Sequence, residues 1–224
     1  PGLGIAAAFL QQLHDKEPDP ATARALDAYL MVGAEHGLNA STFAARVIIA
    51  TRSDIASAIC GAVGAMKGPL HGGAPAEVIG QLGEIGSIDR AEDWARGKLS
   101  RKELIMGFGH RVYRAYDPRA AALRKVAEAM PTRPAWLELA IGAEEQILKV
   151  FEEMKPGRAM KTNVEFYAAA VLQGVGLVPD LFPATFALAR IAGWSAHAIE
   201  QAGVDKLIRP DAKYIGHAER HLPA

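Results

Sequence analysis

Histidines at the ends of predicted helices are the first candidates for chemistry in this sequence. Three of them, His36, His71 and His110, lie in glycine-containing breaks, AEHGLN, GPLHGG and GFGHRV. A fourth, His197 in GWSAHAIEQ, lies within a helical stretch and is interpreted as a packing residue. Imidazole donates a hydrogen bond to a carbonyl, or exchanges a proton, near neutral pH. The three break histidines therefore indicate a site for carbonyl or proton-transfer chemistry.

Arginines extend this pattern. Arg114 and Arg119 follow His110 in RVYRAYDPR, Arg190 interrupts an apolar helix in ATFALARIAGW, and Arg209 ends LIRP. A guanidinium on an apolar helical face needs either a carboxylate partner within the protein or an anionic ligand. Both alternatives are open for Arg190. Bidentate arginines are the expected clamp for a dicarboxylate.

The sequence lacks the motifs of metal sites, serine nucleophiles and dinucleotide-binding sites. The chain has no HExxH, no CxxC and no close histidine pair, which disfavours a metal site, and no GxSxG nucleophile elbow. The single cysteine, Cys60, lies in an apolar helical run and is predicted to be a core residue. The GFG before His110 lacks the preceding strand of a dinucleotide-binding fingerprint.

Apolar residues recur at helical spacing along the chain, and alternating strand patterns are lacking. Helices are predicted at 20–34 and 41–52, from the Ser53 cap to a stop at Gly68-Pro69, and at 75–85, 91–96, 100–105, 118–130, 135–154, 163–174 and 181–201. The predicted fold is all-α.

Cap residues and helix faces are predicted for the first of these helices. Asp19, Ser41 and Ser53 are the expected N-caps. In the second helix Phe43, Val47 and Ile48 are expected to face inward, and in the third Ile55, Ile59, Val63 and Met66 recur at steps of three and four.

Three breaks rich in glycine, proline and polar residues, 68–75, 107–119 and 155–163, suggest a division of the chain. With hinges at the first and third, residues 71–162 form a small domain, and 1–70 and 163–224 together form a large one. Active sites favour such junctions, because closure expels water from the reacting groups.

Composition excludes some partners. Lys and Arg total 25, as do Asp and Glu, so the formal net charge is zero and neither nucleic acid nor an anionic membrane is an expected partner. One cysteine precludes an intramolecular disulfide, which fits a cytoplasmic location. We expect neither a signal peptide nor a membrane-spanning helix.

A set of longer motifs resembles the citrate synthase family, in its bacterial and archaeal dimeric branch. These motifs are, in order, EHGLNASTFAARV, GPLHGGAPAEV, IMGFGHRVYRAYDPRA, TNVEFY, ARIAGWSAHAIEQ and LIRP. The resemblance covers essentially the whole chain and implies an α-helical homodimer with large and small domains. Compared with that family, the chain lacks an N-terminal portion of the large domain.

The resemblance implies a citrate synthase, an acyltransferase that condenses acetyl-CoA, as co-substrate, with oxaloacetate and needs no metal or prosthetic group. His71 matches the histidine that bonds the thioester carbonyl, and His110 the one that polarises the ketone of oxaloacetate. The family's other oxaloacetate ligands are matched in this sequence by four residues, His36, Arg119, Arg190 and Arg209. The counterpart of the last acts in the neighbouring subunit's site. Arg114 resembles part of the CoA-binding segment.

The catalytic base departs from the family pattern. The family has aspartate in an NVDFY-like motif, whereas this chain has NVEFY with Glu165. The extra methylene moves the carboxylate by about 1.5 Å unless the backbone compensates, and a misplacement of about 1 Å can cost about 100-fold in rate. Thr162 also replaces the usual proline before Asn163.

Three alternatives remain open at this stage. A 2-methylcitrate synthase, which uses propionyl-CoA, and a citryl-CoA lyase share the catalytic set. A noncatalytic paralogue that binds CoA or a dicarboxylate is the alternative from a different class.

Overall fold

A computed structural model describes residues 2–68, 71–72, 74–109, 116–131, 133–158, 160–217 and 220. Over these residues the chain is all-α, as predicted. The helices are α1 (Ile5–His14), α2 (Pro20–Gly33), α3 (Ala40–Ile49), α4 (Ile55–Met66), α5 (Ala74–Ile85), α6 (Ala91–Ser100), α7 (Pro118–Ala129), α8 (Leu137–Met154), α9 (Val164–Gly174) and α10 (Phe182–Val204). The sole β pairing among these residues is an isolated antiparallel bridge between Phe108 and Thr162.

The predicted cap is confirmed for α2 and wrong for α3 and α4. Asp19 accepts hydrogen bonds from the amides of the first turn of α2. Asn39 caps α3 in place of Ser41, and Asp54 caps α4 in place of Ser53. Because Asn39 takes the capping role, the side chain of Ser41 is directed into the interior, where its burial is complete.

Two further helix predictions differ from the structure. The helix predicted at 100–105 does not form, because α6 ends at Ser100 and Lys102 adopts a left-handed φ of 59°. An additional helix, α1, covers residues 5–14, for which no helix was predicted.

Of the large residues in the patterns predicted for α3 and α4, Met66 is buried, but three others are exposed. Phe43, Ile55 and Val63 are each at least 40% exposed, and Cys60 is exposed and not a core residue. Most buried positions of α3 and α4 hold small residues instead, as at Ala58. Small residues are needed there because α3 and α4 pack closely, and a side chain at Gly61 would overlap Ile48.

Two hydrophobic clusters organise the interior. The larger includes Leu26, Leu82, Leu123, Ile147 and Tyr167, from α2, α5, α7, α8 and α9. It thus joins residues from all three predicted segments, and the division at 71 and 162 stays a prediction.

The smaller cluster joins α3, α4 and α10 through residues such as Ala45, Ala62 and Trp194. Within the described part of the chain no single helix is long and apolar enough to cross a membrane. The pair Val164–Gly174 and Pro179–Val204 has the combined length and composition but is bent by 118°.

Candidate active site

His71 lies in the tight turn that ends α4. Its amide donates to the Gly68 carbonyl (2.9 Å), and the Gly72 amide donates to the Met66 carbonyl (2.8 Å). A Cβ at Gly72 would lie 2.7 Å from that carbonyl oxygen, so the turn requires glycine. The turn brings His71 Nε2 to within 2.8 Å of Ser41 Oγ.

Ser41 is the centre of a buried neutral network. The indole N–H of Trp194 donates to Ser41 Oγ (3.1 Å), and Ser41 Oγ lies 2.7 Å from Asn39 Oδ1. The single hydroxyl proton goes either to Asn39 Oδ1 or to His71 Nε2, which couples the His71 tautomer to this network. In both cases Nε2 is occupied, so Nδ1 is the ring nitrogen left for a ligand.

The surroundings of His71 favour the neutral ring. Its edge packs against the Phe186 ring, with centroids 6.0 Å apart. Burial, and secondly the charge of Arg190, lower the pKa of His71 below its ordinary value. Both effects favour the uncharged form of the ring.

Arg190 on α10 is 1% exposed, and its guanidinium lies 4.9 Å from the centre of the Phe186 ring. Its Nε donates to the Gly33 carbonyl (2.6 Å). No carboxylate among the described residues comes within 4.0 Å of it. The ion pair considered for Arg190 is therefore not found there, and burial lowers its pKa. This favours the anionic-ligand alternative.

Asp117 orders the N-termini of α7 and α9. One carboxylate oxygen accepts from the Arg119 amide (2.9 Å) and Arg119 Nε (3.1 Å). The other accepts from Arg119 Nη2 (2.8 Å) and the Val164 amide (3.2 Å). Asp117 is 1% exposed. This bidentate pair fixes the Arg119 guanidinium beside the first turn of α9.

Glu165 lies in that first turn. Its amide donates to Oδ1 of the N-cap Asn163 (3.0 Å). Burial raises the pKa of Glu165 to about 7, although the charges of Arg119 and Arg190 act in the opposite direction. A carboxyl group poised near neutral pH is suited to act as a general base.

Glycines shape the segment that leads to His110. Gly107 and Gly109 have φ values of 86° and 81°, and a Cβ at Gly107 would lie 2.7 Å from the Phe166 ring. These glycines thus serve the turn and its packing. The Asn163 side-chain amide donates to the Gly109 carbonyl (3.0 Å) and ties this segment to α9. His110 and Arg114 lie outside the described residues.

The remaining predicted residues have different surroundings. His36 is partly buried just beyond α2, next to Glu35, whose charge acts on Arg190. His197 lies 3.1 Å from Arg46 Nη1 and 3.1 Å from Glu35 Oε1, as expected of a satisfied packing residue. Arg209 is exposed beyond α10 and makes no hydrogen bond or ion pair with the described residues.

The structure thus brings His71, Arg119, Glu165 and Arg190 into one electrostatic cluster. Sequence reasoning did not give site roles to Ser41, Asn39, Trp194, Asp117 and Tyr29. The pKa of Tyr29, a buried residue of α2, is raised by burial and by the Glu165 charge. The sequence signal that could have identified Asp117 is an aspartate directly before a proline at a helix start, as in DPR. Among the described residues no three His, Cys, Asp or Glu side chains lie together as metal ligands.

The sequence of this chain is similar to a known protein family and to several known proteins. The profile of the citrate synthase C-terminal domain matches residues 1–211. A putative citrate synthase 2 of Mycobacterium tuberculosis is 50% identical over 91% of the chain and 54% of its own length. Citrate synthase 2 of Bacillus subtilis is 45% identical over 95% and 56%. A 2-methylcitrate synthase of M. tuberculosis is 42% identical over 99% and 56%. The chain therefore spans about half the length of these relatives.

Solved structures match the same architecture. Citrate synthase from Thermotoga maritima has a TM-score of 0.88 at 39% identity, covering 99% of this chain and 60% of that one. A ternary complex of citrate synthase from Thermoplasma acidophilum with carboxymethyl coenzyme A and oxaloacetate has a TM-score of 0.90 at 34% identity, covering 100% and 60%. Citryl-CoA lyase from Hydrogenobacter thermophilus has a TM-score of 0.81 at 27% identity, covering 99% and 88%.

Proposed function

Because this chain belongs to the citrate synthase family, we propose that it carries catalytic groups of an enzyme that condenses acetyl-CoA with oxaloacetate to citrate and CoA. One observation carries the proposal. The Glu165 carboxyl, with a pKa raised to about 7, lies within the electrostatic reach of two guanidinium groups, Arg119 and Arg190. A proton acceptor next to a dicarboxylate clamp is what this condensation requires.

The two arginines have different roles in binding oxaloacetate. The buried Arg190 guanidinium keeps its remaining N–H groups for a carboxylate of the substrate, because its described hydrogen bond uses only Nε. Arg119 is already oriented by Asp117, so its side chain loses little conformational entropy when a second carboxylate binds. The family resemblance adds His36, His110 and Arg209 as further ligands, the last from a second subunit.

Glu165 begins the chemistry. Its carboxylate removes a proton from the methyl group of acetyl-CoA, and the C–H electron pair forms the enol(ate) double bond. Negative charge then develops on the thioester oxygen, where Nδ1 of His71 donates a hydrogen bond; this step uses the tautomer in which Nε2 accepts the Ser41 hydroxyl proton. A neutral donor suits this role, because its remaining proton is not lost to water at neutral pH.

The enol(ate) carbon then attacks the ketone carbon of oxaloacetate. The ketone oxygen takes up one proton, which balances the proton that Glu165 removed, and becomes the hydroxyl of citryl-CoA, with His110 as the proposed polarising group. Water adds to the thioester carbonyl, and the C–S bond breaks. CoA leaves as a thiol, and citrate is released. Arg114 is proposed to contact CoA.

We further propose a homodimer. The helix α4 contains no charged residue, yet Ile55 and Val63 are at least 40% exposed, and so are Ile191 and Ile199 of α10. An apolar surface of this kind is typical of a protein interface. Sedimentation at micromolar concentration should give a dimer, and a stable, well-folded monomer would contradict this assembly.

Two related activities have support of their own. A 2-methylcitrate synthase is among the relatives at 42% identity, and a citryl-CoA lyase shares the fold. Both chemistries use the same groups, and they differ in the thioester that enters or leaves.

A thiol-release assay together with a citryl-CoA cleavage assay separates these activities. Acetyl-CoA with oxaloacetate should release CoA in step with citrate, and propionyl-CoA should react more slowly. Faster turnover of propionyl-CoA would favour the methylcitrate activity, and rapid cleavage of citryl-CoA to acetyl-CoA and oxaloacetate the lyase. If no thiol appears and citryl-CoA is not cleaved, while oxaloacetate still protects the protein from heat, the chain is a noncatalytic binding paralogue.

A further inference from the structure

A buried carboxylate behind the site takes no part in the chemistry above. Glu144, in the middle of α8, is 2% exposed. Its Oε1 accepts from the hydroxyls of Tyr116 (3.1 Å) and Thr162, and its Oε2 accepts from the Tyr167 hydroxyl and Arg124 Nη1 (3.2 Å). A carboxylate can be buried in this way only where such donors surround it.

Two of these donors directly precede the caps of the site helices. Tyr116 is followed by Asp117, which caps α7 and holds Arg119. Thr162 is followed by Asn163, which caps α9 and holds the Glu165 amide. A single oxygen atom, Glu144 Oε1, therefore joins the two segments that present a guanidinium and a carboxyl group to the site.

The other two donors lie on the helices themselves. Tyr167 belongs to α9 and Arg124 to α7, and the Arg124 guanidinium lies 5.8 Å from the centre of the Tyr167 ring. Arg124 also donates through Nε to Glu128 (2.9 Å). Each helix is thus attached to Glu144 twice, at its N-terminal segment and within its body.

We propose that Glu144 is a positioning residue that fixes the separation of Arg119 and Glu165 by holding the N-terminal segments of α7 and α9 together. The inference rests on the proposed function, since those two groups are its substrate clamp and its base. A carboxylate is suited to this place because it offers four acceptor positions and no donor. Each oxygen of Glu144 accepts from two donors. Glutamine would replace one oxygen by an NH₂ group, which is itself a donor, so the two donors at that position would lose their acceptor.

Four variants test the inference. Glu144→Gln keeps the shape and removes the acceptors of one oxygen. Thr162→Val removes one donor and keeps the backbone bonds of this segment, in which the Asp117 amide donates to the Thr162 carbonyl (3.3 Å). Thr162→Ser restores the donor. Glu145→Gln is the matched control, because it makes the same change at an exposed position of the same helix.

We expect Glu144→Gln to lower kcat about 10- to 100-fold and Thr162→Val about 5- to 10-fold, with smaller changes in KM for acetyl-CoA. Thr162→Ser and Glu145→Gln should stay within about twofold of the parent. A carbon-detected NMR titration without substrate adds a second measurement. The midpoint of Glu165, near 7 in the parent, should fall in Glu144→Gln and Thr162→Val as its carboxyl becomes more accessible to water.

The inference is overturned if both variants lower the melting temperature but leave kcat and the Glu165 midpoint unchanged. Glu144 would then only stabilise the fold. A parent protein without condensation would refute the proposed function. The NMR titration would still decide whether Glu144 positions Glu165, because it needs no turnover. If Glu144→Gln does not fold, Thr162→Val and Thr162→Ser decide the question by the same measurements.

Discussion

The two sides of the site are built from different kinds of group. On the carboxylate side, the charged Asp117 binds Arg119 and the Val164 amide, and the charged Glu144 binds Thr162, so both act on the segment just before Glu165. On the histidine side, His71 is held by neutral donors and acceptors through Ser41. Arg190 lies within electrostatic reach of both sides, since its charge lowers the pKa of both His71 and Glu165.

This difference matches the protonation state that each side needs. A carboxylate next to His71 would stabilise the charged imidazolium and raise its pKa, whereas the Ser41 network leaves the ring neutral. Burial of Glu165 has the opposite benefit, since it makes a weak acid into a stronger base. One small site therefore combines a neutral donor, held by the uncharged Ser41 network, with a basic carboxylate, whose pKa is raised by burial.

The largest expected effect tests the carboxylate side at its base. Glu165→Gln should lower condensation by about 10²- to 10⁴-fold, because the amide has almost the same shape and cannot accept the proton. Oxaloacetate should still protect the variant from heat, which a misfolded protein would not allow. Activity that survives the change would show that another group takes the proton.

Glu165→Asp refines this result in either direction. A gain in citrate formation would mean that the backbone lies as in family members with aspartate, so that the longer glutamate side chain misplaces the carboxylate. A loss would mean that the Thr162 segment has shifted to suit glutamate.

The second effect is on stability. Because the Glu165 pKa is raised to about 7 in the folded protein, the folded state holds a proton that the unfolded chain loses above its ordinary value. The free energy of unfolding should therefore fall between about pH 4.5 and 7, by up to about 3 kcal/mol. Urea unfolding of Glu165→Gln should lack this contribution, whereas Glu145→Gln should follow the parent. Parallel pH curves for parent and Glu165→Gln would contradict the shifted pKa.

The third effect is on substrate binding by the arginines. Arg119→Ala should weaken oxaloacetate binding about 10- to 100-fold, the usual range for a charge-assisted hydrogen bond. The thermal shift produced by oxaloacetate measures this loss. Arg24→Ala, at an exposed position of α2, is the control and should keep the full shift. An unchanged shift in Arg119→Ala would remove Arg119 from the clamp.

The smallest effect is expected on the neutral side. Ser41→Ala leaves His71 Nε2 without its partner, and kcat should fall about 10-fold because the ring is no longer held in one orientation. Oxaloacetate binding should be unchanged, since the clamp does not include Ser41. Ser100→Ala, an exposed serine at the end of α6, is the control. A larger loss for Ser41→Ala than for Glu165→Gln would reverse the ranking of the two sides.

Local signals in the sequence predicted most of the helices. Asp19 followed by proline marks the start of α2, and the breaks at Gly68 and Gly157 fall beside the ends of α4 and α8. Helix starts depend on side chains within three residues of each other, which makes them readable in a single sequence. The family motifs likewise singled out His71, Arg119, Glu165 and Arg190 by type and order.

The inward faces of α3 and α4 were not predictable in this way. Helical spacing identifies which residues share a face, but not whether that face packs inside the chain. Phe43 and Val63 are exposed because the close contact between α3 and α4 selects small residues such as Ala58 and Gly61. That contact depends on a pairing of two helices, which periodicity within either one does not contain.

The all-α class, the family and the chemical types of the site residues could be predicted from the residues alone, because they follow from local patterns and from long motifs. The support of these residues depends on how the helices pack. Ser41 and Trp194 are 153 positions apart, and Glu144 lies 18 positions from Thr162. Their hydrogen bonds form only when separate helices pack together, and burial then sets the pKa of Glu165 and His71. Desolvation is a property of the packed interior, so no residue type reveals it in advance.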